Sequence, residues 1–258
     1  MPRVIVIGGG AAGMMAAISA RSHGADVILL ERNNRVGRKI LATGNGRCNY
    51  TNVHLSINNY HGKNSKFPFS CLSQFSVEET IDFFEGLGIT PVVEEGGKVF
   101  PQSFQSSSVL DVLRFELDYL GVEILTEAYV VDIKKKKDFV VTLKDGRKIH
   151  GQRVILAPGG KAAPNTGSDG NGYTLAQKLG HTIEDIFPGL VQLKLEGNFF
   201  KQVSGVKIIG VAELYHEHKL LRRDKGDILF TDYGISGPPI LQLSRTALEL
   251  LNQGAKAE

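Results

Sequence analysis

Three glycines and one glutamate carry the residue types and spacing in this sequence that are best suited to chemistry. Gly8, Gly10 and Gly13 follow the apolar run Val4–Ile7 in the order G-x-G-x-x-G. In this pattern the first glycine allows a tight strand-to-helix turn, the second lets a pyrophosphate approach the backbone, and the third lets the helix pack on the strand. Glu31 stands about 20 residues further on, where an acid accepts hydrogen bonds from an adenosine ribose. The spacing therefore predicts a dinucleotide site.

The elements that must position these residues can be read from the same stretch. Val4–Ile7 is short and rich in β-branched residues, which is typical of a strand buried on both faces. Ala11–Ser22 predicts a helix that Gly24 ends, and Val27–Leu30 predicts a second buried strand. Unpaired N–H groups and a partial positive charge at the start of a helix attract phosphate. We therefore expect its first residues, Ala11 and Ala12, to join the site.

A secretory signal peptide is the alternative interpretation of this N-terminal stretch. Arg3, the apolar run and the small residues near Ser19 and Ala20 have its general form. The glycines, however, interrupt the stretch where a continuous apolar region belongs. We therefore prefer the dinucleotide site.

Composition indicates a cytoplasmic globular protein. The chain has 258 residues, a formal net charge of +3 and 42% hydrophobic residues, which is enough for a packed core. No uncharged apolar run reaches the roughly 18 residues needed to span a bilayer. Two cysteines, Cys48 and Cys71, make no disulfide framework and suit a reducing compartment. The mild basic excess does not require nucleic acid as a partner.

The residues after Glu31 favour FAD over other dinucleotides. Arg32 suggests the 2′-phosphate of NADP, but the adjacent acid argues against it and favours a surface position for Arg32. The stretch 35–52 is a basic, glycine-rich loop that can run along an extended cofactor. Arg38, Lys39 and Arg47 within it can oppose phosphate or the charge of a reduced flavin.

Four segments carry a family resemblance: Gly8–Gly13, Val36–Asn52, Val154–Tyr173 and Ile228–Ser244. They resemble one family of bacterial flavoproteins, the HI0933-like, aminoacetone-oxidase-like or bile-acid dehydro-reductase-like NAD(P)/FAD-dependent oxidoreductases. The second segment, VGRKILATGNGRCNYTN, is the most specific of them. The resemblance implies an α/β fold: a two-dinucleotide-binding, Rossmann-like FAD domain with a central parallel sheet, and the start of an inserted β-rich domain.

The resemblance also extends the set of candidate site residues. It implies that the backbone of Val130 lies near the adenine and that the strand before Ala157 returns the chain to the cofactor. Asn45, Arg47 and Asn49 become candidates for hydrogen bonds to the isoalloxazine ring, and Cys48 beside them is interpreted as a small packing residue. The full set of predicted cofactor-binding residues is Gly8, Gly10, Ala11, Ala12, Gly13, Glu31, Arg32, Arg38, Lys39, Gly44, Asn45, Gly46, Arg47, Cys48, Asn49, Val130, Ala157, Gly159, Gly160 and Asp169.

The pattern divides the chain into a flavin domain, 1–188, and part of a β-rich substrate domain, 189–258. Within the flavin domain, the sequence of residues from about 53 to 121 predicts an excursion that consists of a loop, two amphipathic helices and a hairpin at Gly96–Gly97. Ser76 and Glu79 predict a capping box. Lys134–Lys137 fits a solvated hairpin tip better than an RNA-binding patch.

The sequence of the second domain predicts short strands, followed by a helix whose N-cap is Ser236. His216 and His218 fall two apart on a predicted strand, but no partners complete a metal site. Relatives continue beyond the position of Glu258, so the resemblance also implies that a family segment that completes the cofactor site is missing.

Flavin chemistry is the function that these features predict. The leading hypothesis is an enzyme in which NAD(P)H docks transiently and a hydride passes through flavin N5 to an activated C=C bond of a small molecule. The resemblance leaves open an aminoacetone-like amine oxidase and a reductase of uridine in ribosomal RNA. A truncated, non-catalytic dinucleotide-binding protein is the alternative of another class. The substrate and the oligomeric state are not specified by the sequence.

Overall fold

Alternating strands and helices build the chain, in line with the predicted α/β class. In the computed structural model, which describes residues 1–62 and 64–258, the strands are β1 (Arg3–Ile7), β2 (Asp26–Leu30), β3 (Thr51–Asn52), β4 (Pro91–Val93), β5 (Lys98–Pro101), β6 (Glu123–Leu125), β7 (Val130–Lys135), β8 (Phe139–Leu143), β9 (Lys148–Gly151), β10 (Arg153–Leu156), β11 (Leu193–Lys194), β12 (Lys207–His216), β13 (Lys219–Thr231) and β14 (Gly234–Ser236). The α-helices are α1 (Ala11–Ser22), α2 (Phe69–Leu72), α3 (Val77–Gly86), α4 (Ser106–Tyr119), α5 (Asn171–Lys178), α6 (Phe200–Val203) and α7 (Pro238–Asn252).

A four-stranded parallel sheet, in the order β10-β1-β2-β6, is the centre of the first unit, Met1–Ile183. Side chains alternate across this sheet with the strand period of two. Val4 and Val6 of β1 pack with α1 and α4 on one face. Ile5 and Ile7 pack on the other face against an antiparallel sheet of β7, β8 and β9. Both faces are therefore covered, which explains the unbroken apolar runs in β1 and β2.

The predicted elements of the excursion are confirmed. Ser76 and Glu79 form the capping box at the start of α3. Strands β4 and β5 form the predicted hairpin around Gly96–Gly97. Along α4 the buried side chains include Val109, Leu113 and Leu117, at helical spacing. Position 63, within the predicted excursion of about 53–121, lies outside the described residues.

The lysine run lies at the tip of the hairpin between β7 and β8, and all four of its side chains are exposed. This placement confirms the solvated hairpin tip. Asp145–Gly146 turns β8 into β9.

The second unit, Glu184–Glu258, contains an antiparallel sheet in the order β11-β14-β13-β12. Helix α7 contributes Leu243 and Ala247 to a small core with Leu214 of β12. The predicted domain boundary after residue 188 remains a prediction.

Two sequence-based details of the second unit are wrong. Ser236 pairs with Leu229 in the sheet, so Gly237 rather than Ser236 precedes the first turn of α7. His218 is not on a strand, because it forms a two-residue turn with Glu217 in which both residues have positive φ angles, 48° and 65°.

None of the helices in the described part of the chain is long and apolar enough to cross a bilayer.

Candidate functional site

A cleft of about 570 Å³ opens where the carboxyl ends of β1, β2 and β10 meet the first turn of α1. In open parallel sheets this edge is where ligands bind. The residues predicted from the sequence that line the cleft are Gly8, Gly10, Ala11, Ala12, Glu31, Arg32, Arg38, Lys39, Val130, Ala157, Gly159 and Gly160. The fold thus brings together four segments that are far apart in the chain.

The three glycines of the motif occupy three different environments. Gly8 has a φ of 105°, and a Cβ added to it would lie 2.3 Å from the carbonyl oxygen of Ala157. A Cβ on Gly13 would lie 1.7 Å from the carbonyl oxygen of Gly8, so α1 packs directly on the turn that precedes it. At Gly10 an added Cβ would meet nothing within 4 Å. Gly8 and Gly13 therefore serve packing, and Gly10 leaves space on the cleft side of the backbone.

The start of α1 presents backbone donors to the cleft. No described side chain caps this helix, and its first turn holds no acidic residue. Ala11 and Ala12 are exposed and line the cleft. A helix end of this kind attracts an anion through its free N–H groups and the helix dipole.

Glu31 is buried, with 7% of its surface exposed, although it lines the cleft. Its Oε2 accepts a hydrogen bond from the backbone N–H of Gly9 at 2.8 Å. Its Oε1 accepts from the backbone N–H of Asn33 at 2.8 Å and from Asn33 Nδ2 at 2.7 Å. These three donors compensate for the burial of the carboxylate and fix its position.

Arg32 lies at the cleft wall, where 33% of its side chain is exposed. Its guanidinium pairs with Asp169 at 2.5 Å and lies over the ring of Tyr129, 4.3 Å from the centroid. Its Nη1 also donates to the carbonyl oxygen of Gly167 at 3.3 Å. The hydrogen bond from Arg32 holds the pKa of Asp169 below its usual range. Asp169 itself is outside the cleft lining, and its contact to the cleft is through Arg32.

Arg38 and Lys39 line the cleft without an acidic partner among the described side chains. Arg38 Nη1 donates to Asn33 Oδ1 at 2.9 Å. Lys39 Nζ donates to the carbonyl oxygen of Ala162 at 2.8 Å and also to Ser168 Oγ. Their positive charges therefore remain available to an anionic ligand.

The segment after β10 forms the opposite wall. Gly159 has a φ of 80°, and a Cβ on it would lie 2.9 Å from Cβ of Ser168. A Cβ on Gly160 would lie 2.9 Å from the hydroxyl of Tyr173. Both glycines therefore allow the chain to fold tightly at the cleft, and helix α5 begins shortly after at Asn171.

Gly44, Asn45, Gly46, Arg47, Cys48 and Asn49 do not line this cleft. Arg47 pairs with Glu94 at 2.7 Å, and its guanidinium lies 4.2 Å from the ring centroid of Phe100. Cys48 is buried in the core, which raises the pKa of its thiol, and the side-chain amide of Asn49 faces the carbonyls of Thr51 and Val99. The contribution of this segment to cofactor binding remains a prediction.

Several lining residues were not predicted as ligands. The most informative are Gly9, Asn33, Gly37, Tyr129 and Ser168. The sequence signal for Gly37 is its place in the glycine-rich loop 35–52. The structure gives the physical reason for glycine there: its φ is 76°, and an added Cβ would lie 2.1 Å from the side chain of Leu110. Asn33 gave no signal of its own, since its partners lie both next to it and on the far wall. Within the described residues, no three His, Cys, Asp or Glu side chains are grouped as a metal site would need.

Two solved structures, of a reductase and of a dehydrogenase, share the fold. The open conformation of a flavocytochrome c3 fumarate reductase superposes with a TM-score of 0.53 at 20% identity, covering 80% of this chain and 46% of that one. A 3-ketosteroid-Δ4-(5α)-dehydrogenase from Rhodococcus jostii RHA1 gives a TM-score of 0.52 at 16% identity, covering 80% and 59%. At these identities the likeness supports the Rossmann-like fold.

Curated relatives are closer in sequence. A 3-dehydro-bile acid delta(4,6)-reductase of Clostridium scindens is 43% identical over 256 residues, which are 98% of this chain and 62% of the relative. A ribosomal RNA dihydrouridine synthase of Escherichia coli is 29% identical over 241 residues, 93% of this chain and 60% of the relative. The chain thus spans roughly three fifths of the length of the curated relatives it matches. The model of the HI0933-like protein Rossmann domain matches residues 2–229, and the chain belongs to this family.

Proposed function

We propose that this chain binds FAD and forms the cofactor-binding part of a flavin-dependent oxidoreductase that takes a hydride from NAD(P)H and reduces an activated C=C bond of a small organic substrate. The observation that carries the proposal is that Gly10, where an added Cβ would meet nothing within 4 Å, lines the same cleft as the first turn of α1 and the buried carboxylate of Glu31. The relatives named as a bile-acid reductase and, at 24% identity over 69% of this chain and 40% of the relative, a vinyl phenol reductase support the reaction class.

The residues present fit a dinucleotide diphosphate. Gly10, Ala11 and Ala12 offer backbone without side-chain obstruction at the positive end of α1, where a pyrophosphate would bind. Lys39 and Arg38 add charge that no described acid neutralises. The volume of about 570 Å³ lies within the range of ligand clefts.

The adenosine end fits the same cleft. Glu31 would accept a hydrogen bond from the ribose. Val130, the first residue of β7, is 3% exposed and lines the cleft beside Ala128 and Tyr129. Its backbone would lie beside the adenine, as the family resemblance implies.

FAD, when bound, supplies two-electron hydride chemistry. The residues of this chain would bind and orient the cofactor and balance its charge. The amides at the start of α1 would oppose the diphosphate. Arg32 is held by Asp169 and is already neutralised, so it would shape the wall without adding net charge. Asn45, Arg47 and Asn49 stay our candidates for contact with the isoalloxazine ring.

Ribosomal RNA is the second candidate substrate, because two relatives are named ribosomal RNA dihydrouridine synthases. An RNA substrate would bind with a strong salt dependence. The charge pattern gives it little support, since the lysine run 134–137 lies at a hairpin tip. We therefore favour the small molecule.

The test is flavin binding by Gly10→Val beside a matched control, Gly86→Val. Gly10 has φ −81° and ψ −173°, which valine adopts without strain, so the variant should fold but fill the space beside α1. Gly86 also has open space around an added Cβ, but it ends α3 away from the cleft. Loss of two charge-assisted hydrogen bonds predicts at least about 100-fold weaker FAD binding for Gly10→Val only.

Titration of flavin fluorescence measures this affinity, and anaerobic NADPH or NADH should then bleach the flavin absorbance of the wild type. Reoxidation by an unsaturated steroid acid, and not by ribosomal RNA, would support the small-molecule reaction. Wild-type protein that binds no added FAD, or equal FAD affinity in the two valine variants, would refute the proposal.

A further inference from the structure

The side-chain amide of Asn33 connects three parts of the cleft wall. Its Nδ2 donates to Glu31 Oε1 at 2.7 Å and to the carbonyl oxygen of Thr166 at 3.1 Å. Its Oδ1 accepts from Arg38 Nη1 at 2.9 Å. A flipped amide would place its oxygen against two acceptors and its nitrogen against a donor. The amide therefore has one stable orientation.

Asn33 cannot easily turn away from Glu31. Its backbone carbonyl accepts a hydrogen bond from the N–H of Glu127 at 2.9 Å, which holds the main chain. Gly167 closes against the amide, because an added Cβ there would lie 2.4 Å from Asn33 Nδ2. The contact between Asn33 and Glu31 is thus supported from both sides.

The contacts of Glu31 leave little capacity for a ligand. A carboxylate has about four acceptor positions, two on each oxygen. Oε1 uses both, on the backbone N–H and the Nδ2 of Asn33. Oε2 uses one, on the N–H of Gly9. One acceptor position remains, and it belongs to Oε2.

We propose that Asn33 is a positioning and specificity-determining residue of the nucleotide site: by saturating Oε1, it restricts Glu31 to a single ribose hydroxyl, accepted by Oε2. The inference rests on the proposed adenine-dinucleotide site. It concerns how many ribose hydroxyls the acid selects, which the glycine motif and the acid do not determine by themselves.

The experiment compares ADP with its 2′-deoxy and 3′-deoxy analogues, titrated calorimetrically into the flavin-free full chain. A single acceptor on Glu31 predicts that only one analogue binds about 10- to 100-fold more weakly than ADP, the range for a hydrogen bond to a charged group. The other analogue should bind within about threefold of ADP, because its missing hydroxyl never reached the carboxylate.

Asn33→Ala tests the cause. It frees a position on Oε1 and loosens the carboxylate, so the ratio of the two analogue dissociation constants should move toward one. Asn34→Ala is the matched control, because Asn34 is exposed and makes no side-chain hydrogen bond within the described residues. Asn33→Asp places a second carboxylate beside Oε1 and should weaken ADP binding about tenfold or more, whereas Asn34→Asp should not.

The outcomes separate the two proposals. Wild-type protein that penalises both analogues alike, or an Asn33→Ala ratio equal to that of Asn34→Ala, would overturn the role of Asn33 while leaving the nucleotide site intact. A wild type that binds no ADP would instead overturn the dinucleotide site and, with it, this inference. The wild-type comparison needs no variant, so equal penalties for the two analogues would overturn the inference even if the Asn33 variants fail to fold.

Discussion

The contact between Gly13 and Gly8 makes the substitution Gly13→Ala a direct test of how α1 is attached to the sheet. An added Cβ would lie 1.7 Å from the carbonyl oxygen of Gly8, whereas an ordinary contact begins at about 3.4 Å. The helix and the turn must therefore separate by roughly 1.7 Å. Neither side can adjust by a side-chain rotation, because the obstructing atom belongs to the backbone.

The magnitude follows from two opposing terms. Overpacking costs typically about 1–3 kcal/mol, and a backbone clash belongs at or above the upper end of that range. Alanine gains about 1 kcal/mol over glycine inside a helix. The net loss is then about 2 kcal/mol, which corresponds to a melting temperature lower by about 4–8 °C for a domain of this size.

The assay is thermal unfolding followed by circular dichroism at one protein concentration, with Gly86→Ala as the control. The control makes the same chemical change in open space at the end of α3, so its melting temperature should stay equal or rise slightly. If Gly13→Ala melted within 1 °C or so of this control, the close packing of α1 on the β1 turn would be wrong.

Three further predictions concern Tyr50 and the two cysteines. Tyr50→Phe should raise the free energy of unfolding by about 1 kcal/mol in urea titrations, because the buried Tyr50 hydroxyl has no hydrogen-bond partner among the described residues. The control Tyr119→Phe changes a side chain that is 85% exposed and should leave the free energy of unfolding unchanged. A destabilised Tyr50→Phe would contradict the reasoning. A thiol reagent should label exposed Cys71 at once and buried Cys48 only after unfolding, so that two fast thiols per chain would contradict the assignment. Burial raises the pKa of the Cys48 thiol above its ordinary value of 9.0. The stability that the buried thiol contributes is therefore present below pH 9.0 and is lost as the pH rises further. Midpoints of urea unfolding measured at increasing pH would detect this loss.

The part of the site that could be predicted from the sequence is the part that depends on neighbours in the chain. Helix α1 begins and ends at the predicted residues, Ala11 and Ser22, because glycines flank it on both sides. The start of α3 was predictable for the same reason, since the capping box of Ser76 and Glu79 is complete within four residues. In both cases the physical cause lies inside one short segment.

The remaining features depend on contacts between distant segments. The sequence predicts that Arg38, Lys39 and Arg47 of the basic loop 35–52 can oppose phosphate or flavin charge. Arg38 and Lys39 line the cleft. Arg47 pairs with Glu94 and lies over the ring of Phe100, which are about fifty residues later in the chain. No local pattern distinguishes Arg47 from Lys39, because both are cations of the same glycine-rich loop. Likewise, Ser236 is a good helix cap by residue type, but its pairing with Leu229 in the sheet takes precedence.

The charges of the cleft indicate how it would select an anion. Arg32 is neutralised by Asp169, and Arg38 is directed by the amide of Asn33. Lys39 is held by neutral oxygens on the far wall, so its charge is fixed in place but not cancelled. The positive features that face the cleft are therefore rigid: a helix end, and cations tied to the backbone or to an amide. These groups need little reordering when an anion enters, so the entropy cost of binding is low. The hydrogen-bond network centred on Asn33 holds the cleft wall in place and thereby keeps this cost low.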